Sequence, residues 1–108
     1  SFPYTIGRIE HGFNMRPDLV ATDNPHNPRG YLKQLFFDSW VADPRALQYL
    51  LDTCGVDRVM LGTDYPFPLG EQVPGAGVEE IPLDDAARAR LYHGTALEWL
   101  GLPASRFL

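Results

Sequence analysis

Residues 58–71 read RVMLGTDYPFPLGE, and this stretch decides the fold because it places an acid directly after a short apolar run. The run at 58–62 contains a β-branched residue and is typical of a buried strand, which is predicted over 58–63. Two prolines and a glycine follow Asp64 closely, so they end the strand and keep the next loop near the acid. A carboxylate in this place is a ligand, a base or a turn residue.

A second predicted strand also ends in an acid, because the apolar residues 35–37 lead into Asp38. Asp43 and Pro44 fit the N-cap and the first position of an amphipathic helix that Gly55 closes. Strand, helix and strand therefore follow in that order. This order predicts parallel strands joined by a crossover helix.

Helical patterns flank these strands on both sides. Apolar spacing predicts one helix over 4–15 and another from about 83–100, which Gly94 is expected to divide in two. Three prolines and many turn residues predict an irregular loop over 16–30. A short helical turn at 31–34 is then expected to lead into the first strand.

Two parallel apolar strands would leave unpaired edges, so the chain is expected to be the last part of a larger α/β fold. Reactive groups lie at the carboxyl ends of strands in (β/α)8 barrels and in doubly wound sheets alike. Asp38 and Asp64 would lie at such ends, and the pattern leaves both architectures open. The chain begins at Ser1 without a methionine, which suggests a truncated or processed product.

The composition narrows the possible functions of these 108 residues, of which 44% are hydrophobic and 21% charged. Nine basic and fourteen acidic residues give a net charge of −5, and the scattered basic residues do not favour nucleic-acid binding. No long apolar segment, signal peptide or lipidation pattern supports membrane insertion, so a cytoplasmic location is predicted. The single cysteine, Cys54, excludes an internal disulfide and is interpreted as a small buried thiol.

Four segments together resemble the carboxyl-terminal part of proteins in the amidohydrolase superfamily, specifically those of its metal-dependent decarboxylase branch. They are GRIEHGFNMRPDL (7–19), DNPHNPRGYL (23–32), LGTDYPFPLGE (61–71) and GTALEWLGL (94–102). The resemblance implies that residues 1–108 are the C-terminal segment of a single (β/α)8 TIM barrel, with the two strands as its seventh and eighth. It also implies one zinc ion, a homodimer and a small-molecule dicarboxylate substrate.

The resemblance assigns roles to three side chains. Asp64 is implied to be both a zinc ligand and a catalytic group that accepts a proton, and a carboxylate oxygen suits zinc. Arg8 is implied to bind a substrate carboxylate in the neighbouring subunit's site, for which a planar guanidinium is suited. A solvated helix-face arginine is the alternative. Phe67 is implied to lie near the substrate pocket, with loop packing as the alternative.

Other polar residues receive no role in the chemistry. His11 is interpreted as structural or interfacial, and neither His26 nor His93 has a metal-ligand spacing that would assign it to zinc. Asp38 orients the strand end or a neighbouring group, or else caps a turn. Arg16 shapes an interface loop or is a surface charge.

Several motifs of the family are not in this chain, namely an HxH pair, a further metal histidine and an acid/base histidine in an HGGG-like segment. Residues 1–4 resemble the stretch that follows that segment. The 108-residue chain alone is therefore expected to be inactive, and the intact protein active. Two alternatives stay open: another family decarboxylase or hydrolase acting on an aromatic acid, and a non-catalytic α/β interaction module.

Overall fold

Residues 2–107 are described by the computed structural model, and they divide into two units at position 35. The expectation drawn from Ser1 lies outside the described residues. No helix within residues 2–107 has the length and apolarity needed to cross a membrane. The first unit comprises residues 2–35 and the second comprises residues 36–107.

The first unit is helical. It contains α1 (Phe2–Met15), α2 (Pro17–Val20) and a 3-10 helix (Pro28–Gln34). The structure confirms the helix predicted over 4–15. Ile6 is buried on α1, whereas most of the helix surface is exposed.

The prediction of an irregular loop over 16–30 is wrong in part, because α2 occupies its start. Pro17 stands in the first turn, where its fixed φ favours a helix, and Asp18 places a negative charge at the helix N-terminus. The 3-10 helix also begins earlier than predicted. Asn27 explains this start, since its side chain accepts the Arg29 N–H at 2.9 Å.

Glu10 joins α1 to the 3-10 helix. Its carboxylate accepts the Arg29 Nε–H at 2.6 Å and the Asn27 Nδ2–H at 3.0 Å. The Arg29 bond, and then the Asn27 bond, hold the pKa of Glu10 below its usual range. This acid therefore helps to hold the first unit together.

The second unit alternates strands and helices. Its strands are β1 (Phe37–Asp38) and β2 (Val59–Met60). Its helices are α3 (Pro44–Cys54), α4 (Ala76–Glu79), α5 (Asp85–Ala89) and α6 (Thr95–Leu100), with a π-helical segment at Arg90–Gly94 and 3-10 turns at Val56–Arg58 and Ala104–Arg106.

The two strands pair in parallel, as predicted. Phe37 lies opposite Val59 and Asp38 lies opposite Met60. The crossover between them is α3. Because parallel strands end at the same edge of a sheet, the segments that follow β1 and β2 leave from one edge.

Both strands are shorter than predicted, since the predicted ranges were 35–37 and 58–63. β1 also ends at Asp38, one residue after its predicted end. The ladder holds only two residues of each strand. Arg58 belongs to the 3-10 turn instead. Leu61 N–H bonds outside the sheet, to the Leu91 carbonyl of the last helix at 2.9 Å.

The crossover helix α3 begins and ends where its sequence predicts. The Asp43 side chain accepts the Arg45 N–H at 2.8 Å, and Gly55 has a φ of 85° that favours glycine. The helix supplies three leucines to the core. That core comprises Leu47, Leu50, Leu51, Val59, Val78, Ile81 and Leu91.

The last helical stretch, 85–100, divides into α5 and α6 near Gly94 as expected, but the division is a change of helix type and not a break in the helix. Gly94 has a helical φ of −61°, and the π-helical segment Arg90–Gly94 lies between α5 and α6. The Asp84 side chain caps the start by accepting the Ala87 N–H at 2.7 Å. Gly101, with a φ of 67°, closes the helix as predicted.

Candidate active site

Asp64 lies four residues beyond β2 and is exposed to solvent. Its backbone carbonyl accepts the Phe67 N–H at 2.9 Å. In the described part of the chain, no hydrogen bond or ion pair reaches its carboxylate. The side chain is therefore open to a ligand from outside these residues.

The backbone at Asp64 is in the left-handed region, with a φ of 57°. This conformation costs an L-residue on the order of 1–2 kcal/mol, although aspartate tolerates it better than most side chains. The peptide bond after Tyr65, Tyr65–Pro66, is cis. Non-glycine residues with a positive φ cluster at functional sites, and Asp64 is the one such residue in the loop 63–71.

Close packing of the loop holds this conformation. Thr63 O accepts the Glu71 N–H at 2.7 Å, which joins the two ends of the loop 63–71. Gly70 is buried directly behind, and a Cβ there would lie 2.5 Å from Thr63 O and 2.9 Å from Asp64 O. Only glycine fits this position without moving backbone atoms.

Phe67 lies in the same loop, and 63% of its surface is exposed. Its carbonyl accepts the Gly70 N–H at 2.9 Å. The ring therefore does not fill the interior of the loop. Its exposure leaves it free to contact a bound molecule.

The last helix holds β2 at both ends. Before the strand, Thr95 Oγ1–H donates to Val56 O at 2.9 Å. After the strand, the Leu61 N–H donates to Leu91 O. In an α-helix the Thr95 N–H would donate to Leu91 O, but in the π-helical segment it donates to Arg90 O instead. Leu91 O is therefore available to Leu61. The π-helical segment thus fixes the strand that leads to Asp64.

Asp38, at the end of β1, is used locally. Its carboxylate accepts the Trp40 N–H at 2.8 Å, forming a turn. A Cβ on Gly62 would lie 2.6 Å from the Asp38 Cβ, so the two chains approach closely here. The turn-capping alternative for Asp38 describes this geometry.

The first unit carries the predicted substrate arginine. Arg8 is exposed on α1, and within residues 2–107 its guanidinium has no hydrogen bond or ion pair. His11 is exposed on the same helix. Arg16 instead donates two hydrogen bonds to Asp18, at 2.9 and 2.7 Å, and this pairing raises the pKa of Arg16 and lowers that of Asp18.

No group of three or more His, Cys, Asp or Glu side chains in the described chain is placed to hold a metal ion. His26 and His93 are both exposed. Cys54 is half-buried rather than fully buried, and its burial raises the pKa of the thiol. None of these three side chains is placed as a member of a metal cluster.

Asp64 nevertheless has the donor chemistry that a divalent metal such as zinc accepts. Its carboxylate oxygens are hard donors, exposed at a strand end and free of competing protein partners among residues 2–107. Structural and catalytic zinc sites use about three or four protein ligands. Asp64 therefore fits as one ligand, and the others would have to come from outside these residues.

Glu71 and Tyr92 were not singled out in the sequence. The Glu71 carboxylate accepts the N–H groups of Gly75 and Gly77, each at 2.7 Å. The Tyr92 O–H donates to Glu79 Oε1 at 2.5 Å. The sequence signal for the Glu71 contact is an acid with glycines four and six residues later. This pattern is too common to predict the contact.

The amidohydrolase family matches residues 3–102 of the chain. Two similar proteins are named 2-amino-3-carboxymuconate-6-semialdehyde decarboxylase. The one from Dictyostelium discoideum is 53% identical over 109 residues, which cover 100% of this chain and 30% of that protein. The one from Caenorhabditis elegans is 48% identical over 103 residues, covering 94% and 26%. The chain thus spans less than a third of these relatives.

A solved structure is similar as well, that of Metarhizium anisopliae IDCase in its apo form. Its TM-score is 0.74 at 26% sequence identity, over 93% of this chain and 31% of that one. Together with the family match, this similarity supports a TIM-barrel-type α/β fragment. The predicted resemblance to the decarboxylases is confirmed by the two relatives.

Proposed function

Because the chain belongs to the amidohydrolase family, we propose that the intact protein is a metal-dependent decarboxylase. Its substrate would be 2-amino-3-carboxymuconate 6-semialdehyde and its product 2-aminomuconate 6-semialdehyde, in tryptophan catabolism through kynurenine. The observation that carries this proposal is the pair of relatives, 53% and 48% identical, that bear the name of this decarboxylase. A cytoplasmic location stays a prediction.

We further propose that β1 and β2 are the seventh and eighth strands of one (β/α)8 barrel. A two-stranded parallel sheet has two open edges, which a closed barrel removes. The chain covers 30% and 26% of the two relatives, which is the length of a part of such a barrel rather than the whole. In this arrangement Asp64 lies at the catalytic end of the barrel.

In the proposed site Asp64 is one ligand of a zinc ion, which when bound supplies Lewis acidity and an acidified water. Its exposed carboxylate can also accept a proton, since no described side chain competes for its oxygens. The closed loop holds the backbone from which this carboxylate projects, through the Glu71 N–H bond to Thr63 O at 2.7 Å. A fixed base near the reacting atoms favours proton transfer.

Arg8 is proposed to bind a substrate carboxylate in the partner subunit's site of a homodimer. Its guanidinium is exposed, and no described side chain forms a hydrogen bond or ion pair with it. On the same side of this helix as Arg8, two large side chains are exposed, Tyr4 and Met15, with 65% and 64% of their surfaces open. Such a face supports burial against a second copy. Phe67 is proposed to contact the bound substrate from the Asp64 loop.

The test is carbon dioxide release from 2-amino-3-carboxymuconate 6-semialdehyde by the intact protein. Arg8→Ala is expected to raise the apparent KM at least about tenfold, because a charged bidentate contact to the substrate is lost. Arg106→Ala, another exposed arginine, serves as the matched control. Unchanged kinetics in Arg8→Ala would contradict the role of Arg8.

A second candidate is another decarboxylase or hydrolase of the family that acts on an aromatic acid. The similarity to IDCase, a differently named protein, favours keeping it. Turnover of an aromatic carboxylic acid, without turnover of the muconate semialdehyde, would select this candidate. An intact protein that neither binds metal nor releases carbon dioxide would instead be a non-catalytic module.

A further inference from the structure

We propose that Glu71 is a positioning residue that holds the backbone from which the Asp64 carboxylate projects. The inference rests on the proposed function, because it concerns the same carboxylate. Glu71 is half-buried and contacts two segments at once through its backbone and its side chain. Its position makes it the link between the Asp64 loop and the helix α4.

The backbone of Glu71 closes the Asp64 loop. Its N–H donates to Thr63 O at 2.7 Å, one residue before Asp64. Inside this closure the Phe67 N–H bonds to Asp64 O, and buried Gly70 packs against Thr63 O. A displacement of Glu71 therefore moves the carbonyl group that adjoins Asp64.

The side chain of Glu71 ties that closure to α4. One carboxylate oxygen accepts the Gly75 N–H and the other accepts the Gly77 N–H, each at 2.7 Å. Both donors lie at the start of the helix, where backbone N–H groups lack intrahelical partners. An ionised acid can satisfy both donors, whereas a glutamine in the same place offers only one acceptor oxygen.

The helix α4 is itself held by the last helix. The Tyr92 O–H lies 3.3 Å from Gly75 O and 2.5 Å from Glu79 Oε1, and Arg88 forms an ion pair with Glu79 at 3.0 Å. A Cβ on Gly75 would lie 2.6 Å from the Tyr92 ring, so the ring packs directly on this backbone. The two donors to Glu71 are thus on a fixed support.

These contacts hold the Asp64 backbone in its left-handed conformation. Its φ of 57° is unfavourable for an L-residue, so the loop relaxes if its closure loosens. Relaxation would turn the carboxylate away from its working direction. A misplacement of about 1 Å can cost about 100-fold in rate.

The experiment compares Glu71→Gln with Glu80→Gln in the intact protein. Glu80 is an exposed acid that follows the same helix, and no bond to its side chain is seen in the described chain, so it is the matched control. Glu71→Gln is expected to lower kcat by about 10- to 100-fold while KM changes less than about twofold. A purely structural loss would lower the melting temperature and the folded fraction instead of kcat per folded molecule.

Amide hydrogen exchange keeps this test separate from the proposed function. In Glu71→Gln, exchange at the Phe67 and Glu71 amides is expected to accelerate, because both bonds belong to the closed loop. Unchanged exchange there would overturn the inference whether or not the protein is a decarboxylase. An unchanged kcat in a protein that releases carbon dioxide would overturn it too, and leave the proposed function standing.

A milder variant covers the case in which Glu71→Gln does not fold. Gly77→Ala places a Cβ 3.2 Å from the Glu71 Oε1 and presses on the carboxylate without removing its charge. As in Glu71→Gln, kcat is expected to fall and exchange at the Phe67 amide is expected to accelerate, both by a smaller factor. Wild-type values for both quantities in Gly77→Ala would contradict the positioning role.

Discussion

At the end of β1 the Asp38 carboxylate accepts the Trp40 N–H at 2.8 Å, whereas no described group bonds to the carboxylate of Asp64 beyond β2. Asp38 is the last residue of β1 and Asp64 lies four residues after β2, and the two strands are parallel neighbours in one sheet. They differ in backbone as well, because Asp64 alone of the two has a positive φ. Residue type and strand-end position therefore do not distinguish these two acids. The local partners and the backbone conformation do.

The strongest test of this contrast is Asp64→Asn in the intact protein. Asparagine tolerates a positive φ, so the loop is expected to keep its shape and the melting temperature to change little. Activity is expected to fall by about 100- to 10,000-fold, because an amide cannot accept the proton or ligate the metal equally well. Steady-state carbon dioxide release measures the effect. Asp38→Asn is the control, and an equal loss in both variants would remove the contrast.

Gly70→Ala tests whether the loop around Asp64 needs its tight packing. The new Cβ would lie 2.5 Å from a backbone oxygen, which cannot move aside as a flexible side chain can. A loss of about 1–3 kcal/mol in the free energy of unfolding is expected, measured by denaturant titration. Gly30→Ala, where the Cβ would have open space, is the comparison. Equal stabilities of the two variants would contradict the packing account.

Asp38→Ala tests the structural side of the contrast. It removes the acceptor of the Trp40 N–H, so stability is expected to fall by about 1 kcal/mol. Asp38→Asn retains an acceptor oxygen and is expected to keep most of that stability. Thermal unfolding measures both variants. A large fall in kcat with unchanged stability in Asp38→Ala would show that Asp38 also serves the reaction.

Tyr92→Phe gives the smallest effect, on the support of α4. The hydrogen bond to Glu79 raises the pKa of Tyr92 and lowers that of Glu79. The raised pKa favours the neutral phenol in the folded state, so its contribution is complete below about pH 10 and is lost as pH rises through the higher folded value. The variant is expected to lose about 0.5 kcal/mol at neutral pH.

The same variant has a second readout at alkaline pH. Above about pH 10 the stability of the wild type should fall more steeply than that of Tyr92→Phe, because the variant lacks the titrating phenol. Chemical unfolding across this range compares the two slopes. Parallel slopes would show that the Tyr92–Glu79 bond does not contribute to stability.

Local chemistry explains what the sequence could predict. The helix from Pro44 to Cys54 was predictable because Asp43 and Gly55 are short-range start and stop signals. The two strands and their parallel order followed from apolar runs separated by a helix. Asp64 could be named because a recognisable motif surrounds it, although its free carboxylate and left-handed backbone could not be predicted.

Long-range contacts explain what the sequence could not predict. The π-helical segment releases the Leu91 carbonyl for Leu61, and the two residues are far apart in the chain. The predicted strands are longer than β1 and β2 because an apolar run becomes a strand only where a neighbouring strand pairs with it, and β1 and β2 pair over two residues each. Glu71 could not be predicted because no local sequence signal indicates that its carboxylate accepts the Gly75 and Gly77 N–H groups.

Metal content tests the central claim most directly, that Asp64 serves a metal site whereas Asp38 serves the fold. The measurement is elemental analysis of the intact protein and of its Asp64→Asn and Asp38→Asn variants after dialysis against metal-free buffer. The account predicts stoichiometric divalent metal in the wild type and in Asp38→Asn, and strong depletion in Asp64→Asn. Full metal content in Asp64→Asn would contradict it.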